Sequence, residues 1–152
     1  MKTVTILFLQ KDNQLLLAMK KRGFGAGKWN GVGGKLEPGE TPQAAAIREC
    51  QEEIGVTPAN PKQVGTITFY DKADPSFCHY AHVYVADEWK GEPAESEEMR
   101  PEWFKTTELP YNDMWTADAL WLPHVLANEQ FEATITFNGE AVESHDIEIA
   151  KK

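Results

Sequence analysis

At 152 residues the chain suffices for one domain with a real core and is too short for two substantial ones. Hydrophobic residues at 41% and charged residues at 26% exclude a disordered or fibrous polypeptide. A formal net charge of −9 repels polyanions, which argues against DNA, RNA or an acidic membrane as the main partner, although a metal cation can still bridge such a surface to a small anion.

Residues 3–9 are rich in β-branched and large apolar side chains, residues 11–14 are a polar turn, and residues 15–17 start a second apolar run, so a β-hairpin is predicted. The first run is too short for a signal peptide and no small-residue cleavage site follows it. No apolar stretch approaches the roughly 20 residues of a membrane span. Residues 23–34 hold six glycines around Phe24, Trp29 and Asn30 and read as a loop. Thr41 can cap free amides and Pro42 supplies a preset φ, so a helix opens there, and Gly55 closes it. Residues 64–70 and 78–86, about a turn at Asp74-Pro75-Ser76, suggest a second antiparallel pair. Residues 89–98 read as a loop, 100–104 as a short strand, and 116–128 as a helix despite Pro123. Residues 131–137 and 141–149 resemble a closing hairpin about Asn138-Gly139. Strands alternating with helices in this order indicate a mixed β-sheet with helices packed on it. Cys50 and Cys78 are too few for a disulfide scaffold; each lies in an apolar stretch, reads as buried, and suits a reduced cytosol.

On a helical wheel, Ala46, Ile47, Cys50 and Ile54 fall on one arc and Glu49, Glu52 and Glu53 on another, so the apolar stripe faces the core and the glutamates share a face. Spacings of three and four residues set Glu49 against Glu52 and Glu53, and each like-charged pair costs about 0.2–0.5 kcal/mol on an isolated helix. That face repels itself unless a cation sits on it, and a hard divalent ion prefers such oxygen ligands. A solvated acidic face is the alternative reading of these residues taken alone. The glycine loop contains neither G-x-x-x-x-G-K-[ST] nor G-x-G-x-x-G, so no P-loop or dinucleotide fingerprint is present. His79 and His82 lack the spacing of a helical zinc pair and read as ordinary strand histidines.

Gly34, five residues, Glu40, seven residues, then Arg48-Glu49-Cys50-Gln51-Glu52-Glu53-Ile54-Gly55-Val56 resembles the Nudix box, with Cys50 where an aliphatic residue is usual. A free cysteine packs as a small hydrophobe, so the exchange is tolerable. The resemblance implies class α/β, a Nudix α/β/α sandwich with a mixed β-sheet and residues 1–152 as a single domain. It also implies hydrolysis of a diphosphate bond with Mg²⁺, or Mn²⁺ in its place. Carried over by position, Glu49, Glu52 and Glu53 with the Gly33 carbonyl bind the metal, Arg48 holds the glutamates in place, and Glu40 gives support. The stretches 20–31, 95–101 and 113–115, with Trp121 and Pro123, are similar to the MutT-homologue branch that removes oxidised purine nucleoside triphosphates. In that branch a further glutamate, here Glu98, reaches the metal from outside the helix.

The same resemblance assigns substrate contacts to Thr5, Lys20, Val32, Gly33, Gly34 and Lys35. Phe24, Phe69 and Trp115 offer faces for base stacking, typically worth about 1–3 kcal/mol. Asn30 carries donors and acceptors for a purine edge, and Asp118, three residues past Trp115, can accept from an exocyclic amine. Taken alone, each aromatic residue reads as core. The branch commonly has two adjacent aspartates where this chain has Ala117-Asp118, so narrower or shifted base selectivity is expected. The implied enzyme sanitises the nucleotide pool by converting 8-oxo-dGTP or 2-hydroxy-dATP to the monophosphate and pyrophosphate. It is expected to be a cytoplasmic monomer acting on a small nucleoside triphosphate, with no nucleic acid polymer or membrane partner. The alternatives are a diphosphatase for an ordinary dNTP or a dinucleotide, and a non-catalytic nucleotide sensor.

Overall fold

The computed structural model describes residues 1–150. In chain order the elements are β1 (Lys2–Lys11), β2 (Gln14–Lys20), β3 (Trp29–Asn30), α1 (Pro42–Ile54), β4 (Thr57–Pro58) and β5 (Lys62–Asp71), then β6 (Cys78–Ala86), β7 (Trp89–Lys90), β8 (Met99–Lys105), α2 (Asp118–Leu126), β9 (Phe131–Asn138) and β10 (Ala141–Ile149). The main sheet runs β10-β9-β5-β6-β1-β2-β3, with β8 on β2, while β4 and β7 form a separate pair. β1 is parallel to β6 and β5 to β9, and the other pairings are antiparallel, so the sheet is mixed as expected.

Strand alternation divides the core into two layers. Phe8 and, partly buried, Val4 and Ile6 join Ile67, Trp121, Leu122 and Val125 on one face of the sheet. Leu7 and Leu9 join Ala46, Cys50, Ile54, Tyr84 and Ala86 on the other. One helix therefore covers each face. α1 forms as its ends predict: Thr41 Oγ1 accepts from the Ala44 amide at 3.2 Å, Pro42 opens the helix, and Gly55 at φ 74° ends it with its N–H on the Gln51 carbonyl. Its buried stripe differs from the wheel, with Ala45 fully buried, Ile47 only half-buried, and Glu53 buried although the wheel sets it on the arc away from the core. Cys50 is buried, but Cys78, at the mouth of β6, is half-buried.

The first hairpin pairs only at its tip, Gln10 with Leu15 and Lys11 with Gln14. Beyond that the strands splay. β2 turns to β8 and β3, while the edge of β1 is taken by the glycine-rich segment through Leu7–Val32 and Val4–Lys35 bridges. This splay opens a cleft between β1 and the β2–β3 ribbon. The loops at residues 23–34 and 89–98 each contain a two-residue strand, and α2 is shorter than the predicted 116–128. Among the described residues no helix is long and apolar enough to cross a membrane.

Phe8 is fully buried, its ring centroid 6.0 Å from that of Trp121, and Thr41 is an exposed cap. Phe8→Ala should therefore cost about 3–5 kcal/mol and Thr41→Ala about 1 kcal/mol in urea unfolding. Equal losses would show that the sheet–α2 layer is not the main source of stability.

Candidate active site

α1 presents Arg48 to three hydrogen-bonded acids, with Glu37 as a further acid 3.7 Å from its guanidinium. Its guanidinium donates to both Glu40 oxygens at 2.8 and 2.9 Å, to Glu49 Oε1 at 2.9 Å and to Glu52 Oε2 at 3.2 Å, and also to the Lys35 carbonyl at 3.1 Å. The bidentate Arg48 contact, with the Glu37 amide behind it, holds the Glu40 carboxyl down at about 2. Burial raises Glu49 above its ordinary value; Arg48 opposes this, while Glu52 and Glu40 reinforce it. Glu53 is 5% exposed and accepts from the Gly33 amide at 2.9 Å. Burial pushes its carboxyl up to about 8 against that hydrogen bond, with Glu49 and Glu98 adding to the rise.

The glycines beside α1 are demanded by close approach. A Cβ on Gly33 would lie 1.9 Å from the Thr5 carbonyl oxygen, and one on Gly34 would lie 2.7 Å from the Glu49 carboxyl carbon. Thr5, 3% exposed, closes the contact through its backbone, its amide donating to the Gly34 carbonyl at 2.9 Å. Glu98 arrives from the segment before β8, where the Lys21 amide donates to its carbonyl at 2.8 Å and Arg22 lies 3.7 Å from its carboxylate. Among the described residues no three His, Cys, Asp or Glu side chains are gathered tightly around one point. Arg48, the Gly33 amide and Arg22 each hold part of the set. Even so, Glu49 and Glu53 are raised by burial and by neighbouring carboxylates, the ligand atoms are all oxygens, and one arginine serves several acids. That donor set fits a hard divalent cation.

On the other side of Gly33–Gly34 lies the cleft, with a volume of about 380 Å³. Thr5, Lys20, Phe24, Asn30, Gly33, Gly34, Phe69, Trp115 and Asp118 all line it, bringing together most of the substrate positions expected from sequence. Val32 does not: it is 3% exposed and packs into the α1 layer, because its neighbours in the bridge to Leu7 set its side chain inward. Lys35 is exposed beside the cleft and is not among its lining residues. Phe24, 71% exposed, stacks on Trp115 with centroids 5.3 Å apart, and a Cβ on Gly25 would lie 3.3 Å from that indole. Phe69 stacks on Phe137 at 5.9 Å. The Asn30 side-chain Oδ1 accepts from the Gly31 amide at 2.8 Å, which leaves its NH2 as the available reader.

Asp118 is 3% exposed at the first turn of α2, and its Oδ2 and the Trp121 Nε1 are buried without partners. Burial pushes its carboxyl up to about 7, with the Trp115 amide and Lys28 opposing. Ala117 is fully buried and does not line the cleft, so one carboxyl reaches in from this helix. Phe137 and Lys28 were not foreseen. Phe137 comes from the last hairpin, and Lys28, 5.1 Å over the Trp115 ring, comes from the glycine loop. His82 hydrogen-bonds Gln63 as an ordinary strand residue, whereas His79 lines the cleft.

A NUDIX domain sequence model matches residues 1–125. The chain is 42% identical over 151 residues to an oxidized purine nucleoside triphosphate hydrolase of Danio rerio, covering 99% of this chain and 93% of that protein. It is 42% identical over 127 residues to the mouse protein of the same name, covering 84% and 81%. The crystal structure of the mutator MutT protein from Bacillus halodurans superposes with a TM-score of 0.87 at 27% identity, covering 97% and 98% of the two chains.

Because the folded chain keeps the Asp118 proton to about pH 7 while the unfolded chain releases it near pH 4, stability falls as pH rises through that window. Asp118→Asn removes this contribution. Urea midpoints at about pH 5 and about pH 7.5 should then fall less in the variant than in the parent; identical falls would mean that the carboxyl is not held protonated.

Proposed function

The chain belongs to the Nudix family, and from that membership we propose that it is a diphosphatase converting oxidised purine nucleoside triphosphates, of the 8-oxo-dGTP and 2-hydroxy-dATP type, to the monophosphate and pyrophosphate. One observation carries the reading. A cleft walled by aromatic rings and tipped with Asn30 and Asp118 shares Gly33–Gly34 with a helix of crowded carboxylates. A base held in the first is therefore tethered within reach of the second. The names of the relatives at 42% identity support the choice of base. The reading takes residues 1–152 as one hydrolase domain, working in the cytoplasm as a monomer on a small nucleotide.

In this reading Glu49, Glu52, Glu53, Glu98 and the Gly33 carbonyl would hold Mg²⁺, or Mn²⁺ in its place. When bound, the ion neutralises phosphoryl oxygens and acidifies water. The protein does the rest. Arg48, locked on Glu40, orients Glu49 and Glu52 so that like charges stay side by side without rearranging. Lys20, at the cleft wall, offsets charge near Glu53 and the phosphates. Thr5 fixes the glycine turn that separates base from phosphates. Phe24, Phe69 and Trp115 stack the base, Asn30 donates to its edge, and Asp118, balanced near its own pKa at neutral pH, offers either a donor or an acceptor. Val32 contributes through its backbone, and Lys35 lies on the phosphate side.

Product analysis with Mg²⁺ across canonical and oxidised nucleoside triphosphates tests reaction and selectivity together. Release of pyrophosphate fastest from an oxidised purine supports the proposal, and equal rates on the canonical purines defeat it. Glu53→Gln should lower kcat by about 10²–10⁴-fold while the urea midpoint at neutral pH stays at or above the parent's, because the variant no longer buries a carboxyl that must take up a proton on folding; full activity would contradict the assigned site. With a single carboxyl from α2, Ala117→Asp should change the ratio of kcat/KM for 8-oxo-dGTP to that for 2-hydroxy-dATP. If the parent already treats the two equally and the substitution changes nothing, the second acid is irrelevant to selectivity.

A further inference from the structure

The closing hairpin meets the cleft at its tip, where Phe137 and Gly139 line the wall. The Phe137 ring centroid lies 5.9 Å from that of Phe69 and 6.4 Å from that of Trp115, so one ring touches two of the rings assigned to base stacking. Whatever places Phe137 therefore sets the gap between them. Phe137 belongs to the last pair of the β5–β9 ladder, opposite Asp71, and the chain turns back just beyond it at Asn138-Gly139. Residues 138–140 are exposed, so the tip is held by hydrogen bonds rather than by packing.

Asp71 supplies the tie. It is the last residue of β5, it lines the cleft, and its Oδ1 accepts from the Ala73 amide at 2.9 Å and from the Gly139 amide at 3.3 Å. One oxygen thus joins the β5–β6 turn to the tip of a hairpin 68 residues further along the chain. The neighbouring contacts do less. The Lys72 amide donates to the Phe137 carbonyl at 2.7 Å, which prolongs the ladder but stops short of the turn. Lys72 with Glu143 at 2.9 Å and Lys28 with Glu140 at 3.8 Å are surface ion pairs, which usually contribute little. Lys28 also lies 5.1 Å over the Trp115 ring, so the tip reaches towards the opposite wall through the weaker of its contacts. A carboxylate accepting backbone N–H groups is the firmer anchor.

We infer that Asp71 is a positioning residue for substrate binding: by holding the Gly139 amide it fixes the hairpin tip, and with it the Phe137 ring that spaces Phe69 from Trp115. The inference rests on the nucleotide reading given under Proposed function and adds to it a residue that acts through another. The role requires an acceptor oxygen and no charge. Asparagine keeps that oxygen in the same place and can perform it, whereas alanine cannot. A wall released from its anchor must be ordered when the base binds, which costs affinity for the base. The carboxylate helix on the other side of Gly33–Gly34 is untouched by the change.

The test uses the purine nucleoside triphosphate that the chain hydrolyses fastest, together with the corresponding nucleoside. Asp71→Ala should raise KM by about three- to tenfold and weaken the nucleoside by the same factor, with kcat unchanged. Asp71→Asn should restore most of the loss. In NMR, hydrogen exchange at the Gly139 amide should speed up in Asp71→Ala and stay slow in Asp71→Asn. A cycle with Phe137→Leu decides whether the effect passes through the ring: the double variant with Asp71→Ala should bind the nucleoside no more weakly than Phe137→Leu alone. Additive losses, or a loss that Asp71→Asn does not restore, would make Asp71 a direct contact of the substrate and overturn the inference, as would an unaltered KM in Asp71→Ala. A chain that preferred canonical purines yet showed the expected pattern would keep the positioning role and refute the substrate proposal alone.

Discussion

The arrangement around α1 depends on one arginine. Glu49, Glu52 and Glu53 crowd one turn of a helix and Glu40 stands beside them, a set that would push itself apart in a half-buried setting. Arg48 is the counterweight. Its planar fork reaches Glu40 through two bonds and spreads the remaining donors over Glu49, Glu52 and the Lys35 carbonyl. A lysine at this place would offer a single point charge and could not span them. The arginine thereby stores unfavourable charge in a fixed geometry and leaves Glu53 to be accommodated by burial and the Gly33 amide.

The second constraint is the way β1 is shared. Its tip pairs with β2, its length with β6, and its free edge with the chain at Val32 and Lys35. That threefold use forces β2 away and creates the cleft. It also sets Gly33 and Gly34 between Thr5 and Glu49, where no side chain fits. The base side and the carboxylate side of the molecule are thus two faces of one glycine turn. Moving one moves the other, and the rigidity of the sheet beneath them is what keeps the spacing.

The pocket walls come from four separate regions. Phe24 rides on the glycine loop, Phe69 on β5, Trp115 just before α2 and Phe137 on the closing hairpin. The loop and the segment bearing Glu98 are tied together by the Lys21–Glu95 pair and by the Lys21 amide on the Glu98 carbonyl. The sites on either side of the glycine turn are therefore linked at this end as well, by contacts about as strong as exposed ion pairs and backbone hydrogen bonds usually are.

What the sequence alone determined is what short-range physics governs. The ends of α1 are written in Thr41, Pro42 and Gly55, because capping and a left-handed residue act within a few positions. The Nudix box is legible because its residues all lie on one loop and one helix. The alternation of β1, β5, β6 and β9 likewise announces strands. Tertiary structure decided the rest. The wheel set Glu53 on the arc away from the core, yet Gly33 and the sheet bury it; Cys78 looked apolar in its surroundings, yet at the first position of β6 it is half-buried. Val32 stood among the substrate positions, and the bridge to Leu7 turned it into the core. Phe137 and the place of His79 in the cleft carry no local signal at all, because strand register between residues far apart in the chain exists only once the sheet has closed.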